Sequence, residues 1–342
     1  MRRALGSWWW VAFLLLIWGC AGATSVSTTP PQSLRISPST ASVRIGESLD
    51  FTAFAVGGEG VAIEWSASAG TITSGGRYTA PTTPGNYTVR AQFAGAPSIN
   101  ATANVAVTDG VTVRITPGAG PVMAPQSRFT FSADVQNTSN RRVSWEATGG
   151  TIDQDGLFRP AGVGAYTVTA RSEADNSKLA TVNGVIVANP RVRMNFGTRG
   201  EIVMSLDTSA APNTVANFVD LVNQQFYNGI ILHRYEVGFV IQGGDPLTKT
   251  LPLTDPRIGT GGPGYTIPFE ASPLRHNQYA VAMALNSVRS DTAGSQFYIT
   301  LAPQPGLDDD YCVFGNVTSG QNVVDALRRG DTIVSAVTEA PL

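Results

Sequence analysis

Cysteine and histidine are close to absent. The 342 residues hold two of each: Cys20 and Cys312, His233 and His276. So few leave almost no material for a disulfide framework or a zinc site. Charge is scarce too, at 14% of residues, where an average domain has about 25%. Neither sign accumulates: residues 34–188 carry 11 basic and 11 acidic side chains, and residues 191–342 carry 10 and 14. Without a basic surplus there is no electrostatic footprint for a nucleic acid, and no such partner is expected. Sustained heptads, a Gly-X-Y period and repeated apolar spans are all missing, which excludes a coiled coil, a collagen-like chain and a polytopic membrane protein. What is plentiful is turn material, 36 Gly and 21 Pro. Together with abundant Thr, Ser and Val it points to a mainly β chain of two or three domains.

The N-terminus reads as an address. Met1-Arg2-Arg3 precede an apolar run from Trp8 to Trp18, followed by Gly19-Cys20. A short basic region, an apolar core and a small residue before a cut site make a secretory signal. Ile17-Trp18-Gly19-Cys20 resembles the lipobox of bacterial lipoprotein precursors, with Trp18 where a small or aliphatic residue is usual. That resemblance implies a signal peptide at 1–19, lipidation of Cys20 and a lipidated linker over 20–33. The alternative is an uncleaved anchor, because Ala4 to Ala23 runs 20 residues without a charge, enough to span a bilayer. Either way the rest of the chain is expected in a bacterial cell envelope, membrane-anchored and facing the periplasm or the exterior.

Residues 34–188 hold one pattern twice. Ile36-x-Pro38 matches Ile115-x-Pro117, Trp65 matches Trp145, and Gly70-Thr71-Ile72 matches Gly150-Thr151-Ile152. Gly76-x-Tyr78 matches Gly156-x-Phe158, and Gly85-x-Tyr87-x-Val89 matches Gly164-x-Tyr166-x-Val168. The last of these alternates apolar and polar positions, as a half-buried strand does. Short strands between Gly, Pro, Asn and Asp turns indicate a β-sandwich in each copy, with the lone Trp as its core aromatic. The copies resemble bacterial immunoglobulin-like domains, expected at 34–109 and 110–189, and the partners that resemblance implies for them are other cell-envelope components. Asp153-Gln154-Asp155-Gly156 starts like a calcium loop but lacks the closing Glu, and a hairpin turn explains it.

Composition changes at Arg191. A strand pair is expected at Val192–Phe196 and Glu201–Leu206. Pro212 opens a helix, where its missing N–H is not needed. Val215, Phe218, Val219 and Val222 recur at helical spacing and form one apolar face. A second helix is expected near Gln321–Arg329. Many strands with two helices suggest a capped barrel.

Here a second resemblance appears. Phe226-Tyr227-Asn228-Gly229, His233-Arg234 and Gly238-Phe239-Val240-Ile241-Gln242-Gly243-Gly244-Asp245 resemble cyclophilins. So do Gly259-Thr260-Gly261-Gly262, Val281-Ala282-Met283-Ala284, Gly294-Ser295-Gln296-Phe297-Tyr298-Ile299 and Val313-Phe314-Gly315. The segments keep that family's order across 190–342. The two resemblances together imply two immunoglobulin-like β-sandwiches followed by a cyclophilin-like eight-stranded antiparallel β-barrel capped by two helices. The cyclophilin resemblance implies peptidyl-prolyl cis-trans isomerase activity on X–Pro bonds of extracytoplasmic proteins, non-covalent and metal-free, assisting folding. No cofactor is implied, and the partners are proline-containing unfolded or flexible polypeptides. The competing reading is an adhesive or scaffolding surface protein whose cyclophilin fold only binds such peptides.

By the same resemblance Arg234, Phe239, Gln242 and Phe297 are the catalytic positions. Val240, Met283, Ala284, Leu285, Gln296, Leu307 and Tyr311 are the substrate-binding ones. His233, adjacent to Arg234 on a strand, faces the other way and reads as structural. Cys312 reads as buried and unpaired. Asp308-Asp309-Asp310 reads as a solvated turn.

Overall fold

The computed structural model describes residues 30–341 apart from Glu59, so the signal segment and Cys20 lie outside the described residues. No helix among those residues is long and apolar enough to cross a membrane. Two compact units are present, one ending at Gly110 and the other running from Val111 to Leu342.

The internal repeat holds strand for strand. In the first copy Ser33–Ser37 pairs with Thr52–Val56; Thr40–Arg44, Ala96–Thr108, Gly85–Phe93 and Ile63–Ala67 form a four-stranded sheet in that order. Ser48–Asp50, Arg77–Thr79 and Thr71–Ile72 form a three-stranded one. The second copy repeats all three sheets, with Val122–Met123, Leu179–Ile186, Gly164–Ser172 and Val143–Thr148 as its four-stranded layer. Alternation does the sorting: Val89, Ala91 and Phe93 are buried along one strand, and Tyr166, Val168 and Ala170 along its counterpart. Gly76 and Gly156 sit at matching turns with positive φ, and a Cβ at either would meet the carbonyl oxygen of Phe51 or Phe131. The expected core tryptophans are a correction. Trp65 and Trp145 are only partly buried and flank their cores. The fully buried aromatics are Phe51, Tyr78 and Phe93 in the first copy, and Phe131, Phe158 and Tyr166 in the second.

The C-terminal part is a curled eight-stranded antiparallel sheet. Its strands are β1 (Arg191–Asn195), β2 (Glu201–Leu206), β3 (Arg234–Tyr235), β4 (Val240–Gly243), β5 (Ala280–Met283), β6 (Phe297–Thr300), β7 (Val313–Ser319) and β8 (Ser335–Glu339). They lie in the order β3-β4-β6-β5-β7-β2-β1-β8. The segments leading into the two edge strands bond to each other, Gly229 N to Ile333 O and Leu232 N to Asp331 O, which draws the sheet's ends together. Helix α1 (Pro212–Asn223) buries Val215, Phe218, Val219, Leu221 and Val222 inside the curl. Its first turn is capped from a distance: Glu270 accepts from Asn213 N at 3.0 Å and Thr214 N at 2.8 Å. Helix α2 (Gln321–Ala326) is shorter than expected. Leu327 turns to extended backbone and drops its side chain into the core, fully buried, which ends the helix.

The second repeat does not hang free of this sheet. Arg128 N donates to both carboxylate oxygens of Asp220 on α1, at 3.0 and 2.9 Å. Asn223 donates to Val122 O at 2.9 Å, and Ala124 joins the buried cluster around α1. The linker is fastened too, with the Thr208 hydroxyl donating to Ala188 O. Burial pushes the Asp220 carboxyl up to about 7, against the lowering effect of the bonds from Arg128 and Ser127. The packed state therefore holds more protons than the unfolded chain between the usual carboxylate range and about pH 7. Its stability falls as pH rises through that window and levels off above it. Replacing Asp220 with Asn should flatten this dependence. Thermal melts at pH 5 and pH 8 are expected to show a smaller drop in Tm for Asp220→Asn than for the wild type.

Candidate active site

Strands β4, β5 and β6 carry two apolar faces, and the site occupies the outer one. In register, Gln242 opposes both Arg234 and Tyr298, Val240 opposes Thr300, and Ala282 opposes Tyr298. Cross-strand partners share a face, so Arg234, Val240, Gln242, Ala282 and Tyr298 point the same way. Val240, Ala280, Ala282, Tyr298 and Val313 form a cluster there, edged by Phe239, Ala284, Leu307 and Tyr311. A cavity of about 210 Å³ opens above it, lined by Arg234, Phe239, Val240, Gln242, Ala284, Leu285, Tyr298, Leu307 and Tyr311. A second cavity of about 160 Å³ shares Gln242, Ala284 and Leu285 and continues over Gly259–Pro263, Asn286 and Gln296. The two share a wall and form one groove, with the more apolar hollow at the Arg234 end.

Two expected site residues are elsewhere. Phe297 and Met283, paired across β5 and β6, point to the inner face. Phe297 is 1% exposed and sits edge-on to Phe218 at 5.4 Å and Tyr227 at 5.6 Å, in the core under α1. Met283 is fully buried in the same cluster. Neither reaches the groove, because alternation sends them to the opposite side of the sheet. The residue missed is Tyr298, whose ring forms the floor of the apolar hollow. Its hydroxyl lies 2.9 Å from His276 Nε2, while His276 Nδ1 lies 2.9 Å from Asp308 Oδ1. Asp308 takes the Nδ1 hydrogen, which leaves Nε2 to accept the Tyr298 O–H. Burial drives the Tyr298 pKa far upward, so the phenol stays protonated and donating.

The polar end of the groove is a chain of fixed amides. Arg234 Nη1 donates to Gln242 Oε1 at 3.3 Å, and Gln242 Nε2 to Gln296 Oε1 at 3.0 Å. Gln296 Nε2 then donates to the carbonyls of Gly259 and Gly261, each at 2.9 Å. Phe239 reaches the groove by a turn: Phe239 N donates to Glu236 O at 3.0 Å, and Gly238 has φ 68°, a value open to glycine. Its ring lies 5.6 Å from the Arg234 guanidinium carbon.

The neighbours are structural. His233 is buried on the face opposite Arg234, and burial lowers its pKa, favouring the neutral ring. Cys312 is buried, with Sγ 3.6 Å from Thr214 Oγ1, and burial pushes its thiol up to about 12. The aspartate run is not merely solvated: Asp308 holds His276, Asp309 pairs with Arg275 and Asp310 with Arg289.

Residues 191–341 match the family described as cyclophilin type peptidyl-prolyl cis-trans isomerase/CLD. Peptidyl-prolyl cis-trans isomerase B of Bacillus subtilis is 43% identical over 133 residues, which cover 39% of this chain and 87% of that protein. The peptidyl-prolyl cis-trans isomerase of Synechococcus elongatus is 41% identical over 146 residues, covering 42% of this chain and 93% of that protein. The crystal structure of a Cryptosporidium parvum cyclophilin type peptidyl-prolyl cis-trans isomerase is 26% identical, with a TM-score of 0.39, covering 45% of this chain and 99% of that one.

Proposed function

The chain belongs to the cyclophilin type peptidyl-prolyl cis-trans isomerase family, and from that premise we propose that it isomerises X–Pro bonds in proteins outside the cytoplasm, with Arg234 as the catalytic donor. The observation that carries this reading is one guanidinium held by Gln242 at the rim of an apolar hollow floored by Tyr298. An X–Pro bond turns over in tens to hundreds of seconds unaided, because rotation breaks amide resonance. Rotation needs no nucleophile. It needs a dry slot for the proline ring and a donor placed for the twisted state.

Phe239, Val240, Tyr298, Leu307 and Tyr311 supply the slot. As the bond twists, the nitrogen becomes pyramidal and its lone pair localises. An Arg234 N–H bonds that lone pair in the twisted state and has no counterpart in the planar amide, which is differential binding of the transition state. A 10⁵-fold acceleration corresponds to about 7 kcal/mol. One charge-assisted bond contributes about 1.5–3 kcal/mol. Ring burial, and the backbone contacts offered by Gln242, Gln296 and Ala284, therefore share the work. A protease-coupled isomerisation assay on the chain from Thr24 onward tests the reading; a rate no faster than that of free peptide would reject it.

The location rests on sequence. The apolar run and Ile17–Cys20 support lipid anchoring at Cys20, with the two repeats, proposed to be immunoglobulin-like, between anchor and isomerase. Cys20→Ser is expected to release the protein from membrane pellets or to arrest its maturation. Unchanged retention, with the N-terminal peptide still attached, would favour an uncleaved anchor instead.

A further inference from the structure

Arg234 has a second partner that the isomerase reading does not use. Glu236 lies two residues on, past the end of β3 and on the same side of the chain. Its Oε1 accepts from Arg234 Nε at 2.8 Å and lies 2.7 Å from Nη2. A guanidinium has five N–H bonds. Glu236 takes the Nε–H and lies in ion-pair contact with Nη2 along the same edge, and Gln242 takes one N–H of Nη1, which leaves the remaining Nη1 and Nη2 N–H bonds for a substrate. The Glu236 backbone is itself pinned. Its N–H donates to Val240 O at 2.9 Å, and its carbonyl accepts from Phe239 N across the turn. The far side of that turn is held by Gln304, which donates to Gly238 O at 2.8 Å.

We propose that Glu236 is a positioning residue for the isomerase reaction, fixing the Arg234 guanidinium so that its remaining N–H groups face the twisted X–Pro nitrogen. The inference rests on Arg234 being the catalytic donor. The Arg234 side chain is 43% exposed, and without Glu236 it would be held by the 3.3 Å bond to Gln242 and the face of the Phe239 ring, neither of which fixes the guanidinium edge. A long arginine stem has many rotamers, and each misdirected one removes the donor from the slot. An exposed ion pair adds little to stability, so the consequence lies in rate. Because the guanidinium bonds mainly the twisted state, freeing it lowers kcat and leaves KM nearly unchanged.

The test is a double-mutant cycle on the full chain. Glu236→Gln is expected to lower kcat about three- to tenfold, with KM within about twofold and the melting temperature unchanged. In an Arg234→Ala background the same substitution is expected to do nothing further, since there is no guanidinium left to hold. Raising salt to about 1 M should bring the wild-type kcat toward that of Glu236→Gln while leaving that variant flat. An unchanged or raised kcat in folded Glu236→Gln would overturn the proposal; a rise would mean the carboxylate only screens the cation. An equal loss in the Arg234→Ala background would overturn it as well, because Glu236 would then act independently of Arg234. If Arg234→Ala itself keeps full turnover, both this proposal and the reading beneath it fail, and that single variant shows it.

Discussion

Replacing Phe297 with Ala is expected to cost about 3–5 kcal/mol of stability, as truncation of a fully buried phenylalanine does, while the folded fraction keeps near-normal kcat. The ring is 1% exposed and makes edge contacts with Phe218 and Tyr227 beneath α1, so its loss opens a cavity in the sheet's interior. Tyr298→Ala should also lower stability, since the ring is buried and its hydroxyl bonds His276, but it should add a kinetic defect that Phe297→Ala lacks. It removes the floor of the proline hollow, so KM should rise and turnover fall, because ground and transition states both use the ring. Tyr298→Phe keeps the floor but leaves His276 Nε2 without its donor, at a cost of about 1–3 kcal/mol for a buried unmet group. Denaturant melts and steady-state kinetics on the three variants separate the two faces of β6. A kinetic defect in Phe297→Ala with normal stability would reverse the assignment.

The C-terminal fold was legible because its apolar segments are long and ordered: the α1 face at Val215, Phe218, Val219 and Val222 is buried as its spacing requires. The repeat was legible because turn glycines such as Gly76 and Gly156 mark the same backbone positions 80 residues apart. The face of β6 was not legible from the Gly294–Ile299 segment by itself. Which of two adjacent aromatics enters the groove depends on register, and Gln242 opposite Tyr298 sets it. With Val240 and Gln242 already on the groove face, alternation carried across that pairing would have selected Tyr298. The tryptophans misled because size alone does not place a side chain at the centre of a sandwich; Tyr78 and Phe158, on the facing strands, took those places. The seating of the second repeat on α1 was out of reach, since the Arg128–Asp220 bond joins residues 92 apart and no local pattern signals it.

Arg234 carries the largest expected kinetic effect. Arg234→Ala should cut turnover ten- to a hundredfold, about 1.4–2.7 kcal/mol of transition-state stabilisation. Affinity for an X–Pro peptide should fall much less, because the planar amide offers the guanidinium no lone pair. Arg234→Lys should rescue poorly. An ammonium on a flexible stem cannot be gripped along one edge by Glu236 and at one end by Gln242 while still presenting fixed donors.

The most direct measurement is exchange spectroscopy on a labelled X–Pro peptide with saturating wild-type and Arg234→Ala protein. It reads the on-enzyme cis-trans rate and the affinity in one sample. The expected result is an on-enzyme rate lowered at least tenfold in Arg234→Ala, with peptide affinity within a few-fold of wild type and an unchanged circular dichroism spectrum. An on-enzyme rate equal to the wild type's in the folded variant would contradict catalysis by the Arg234 guanidinium.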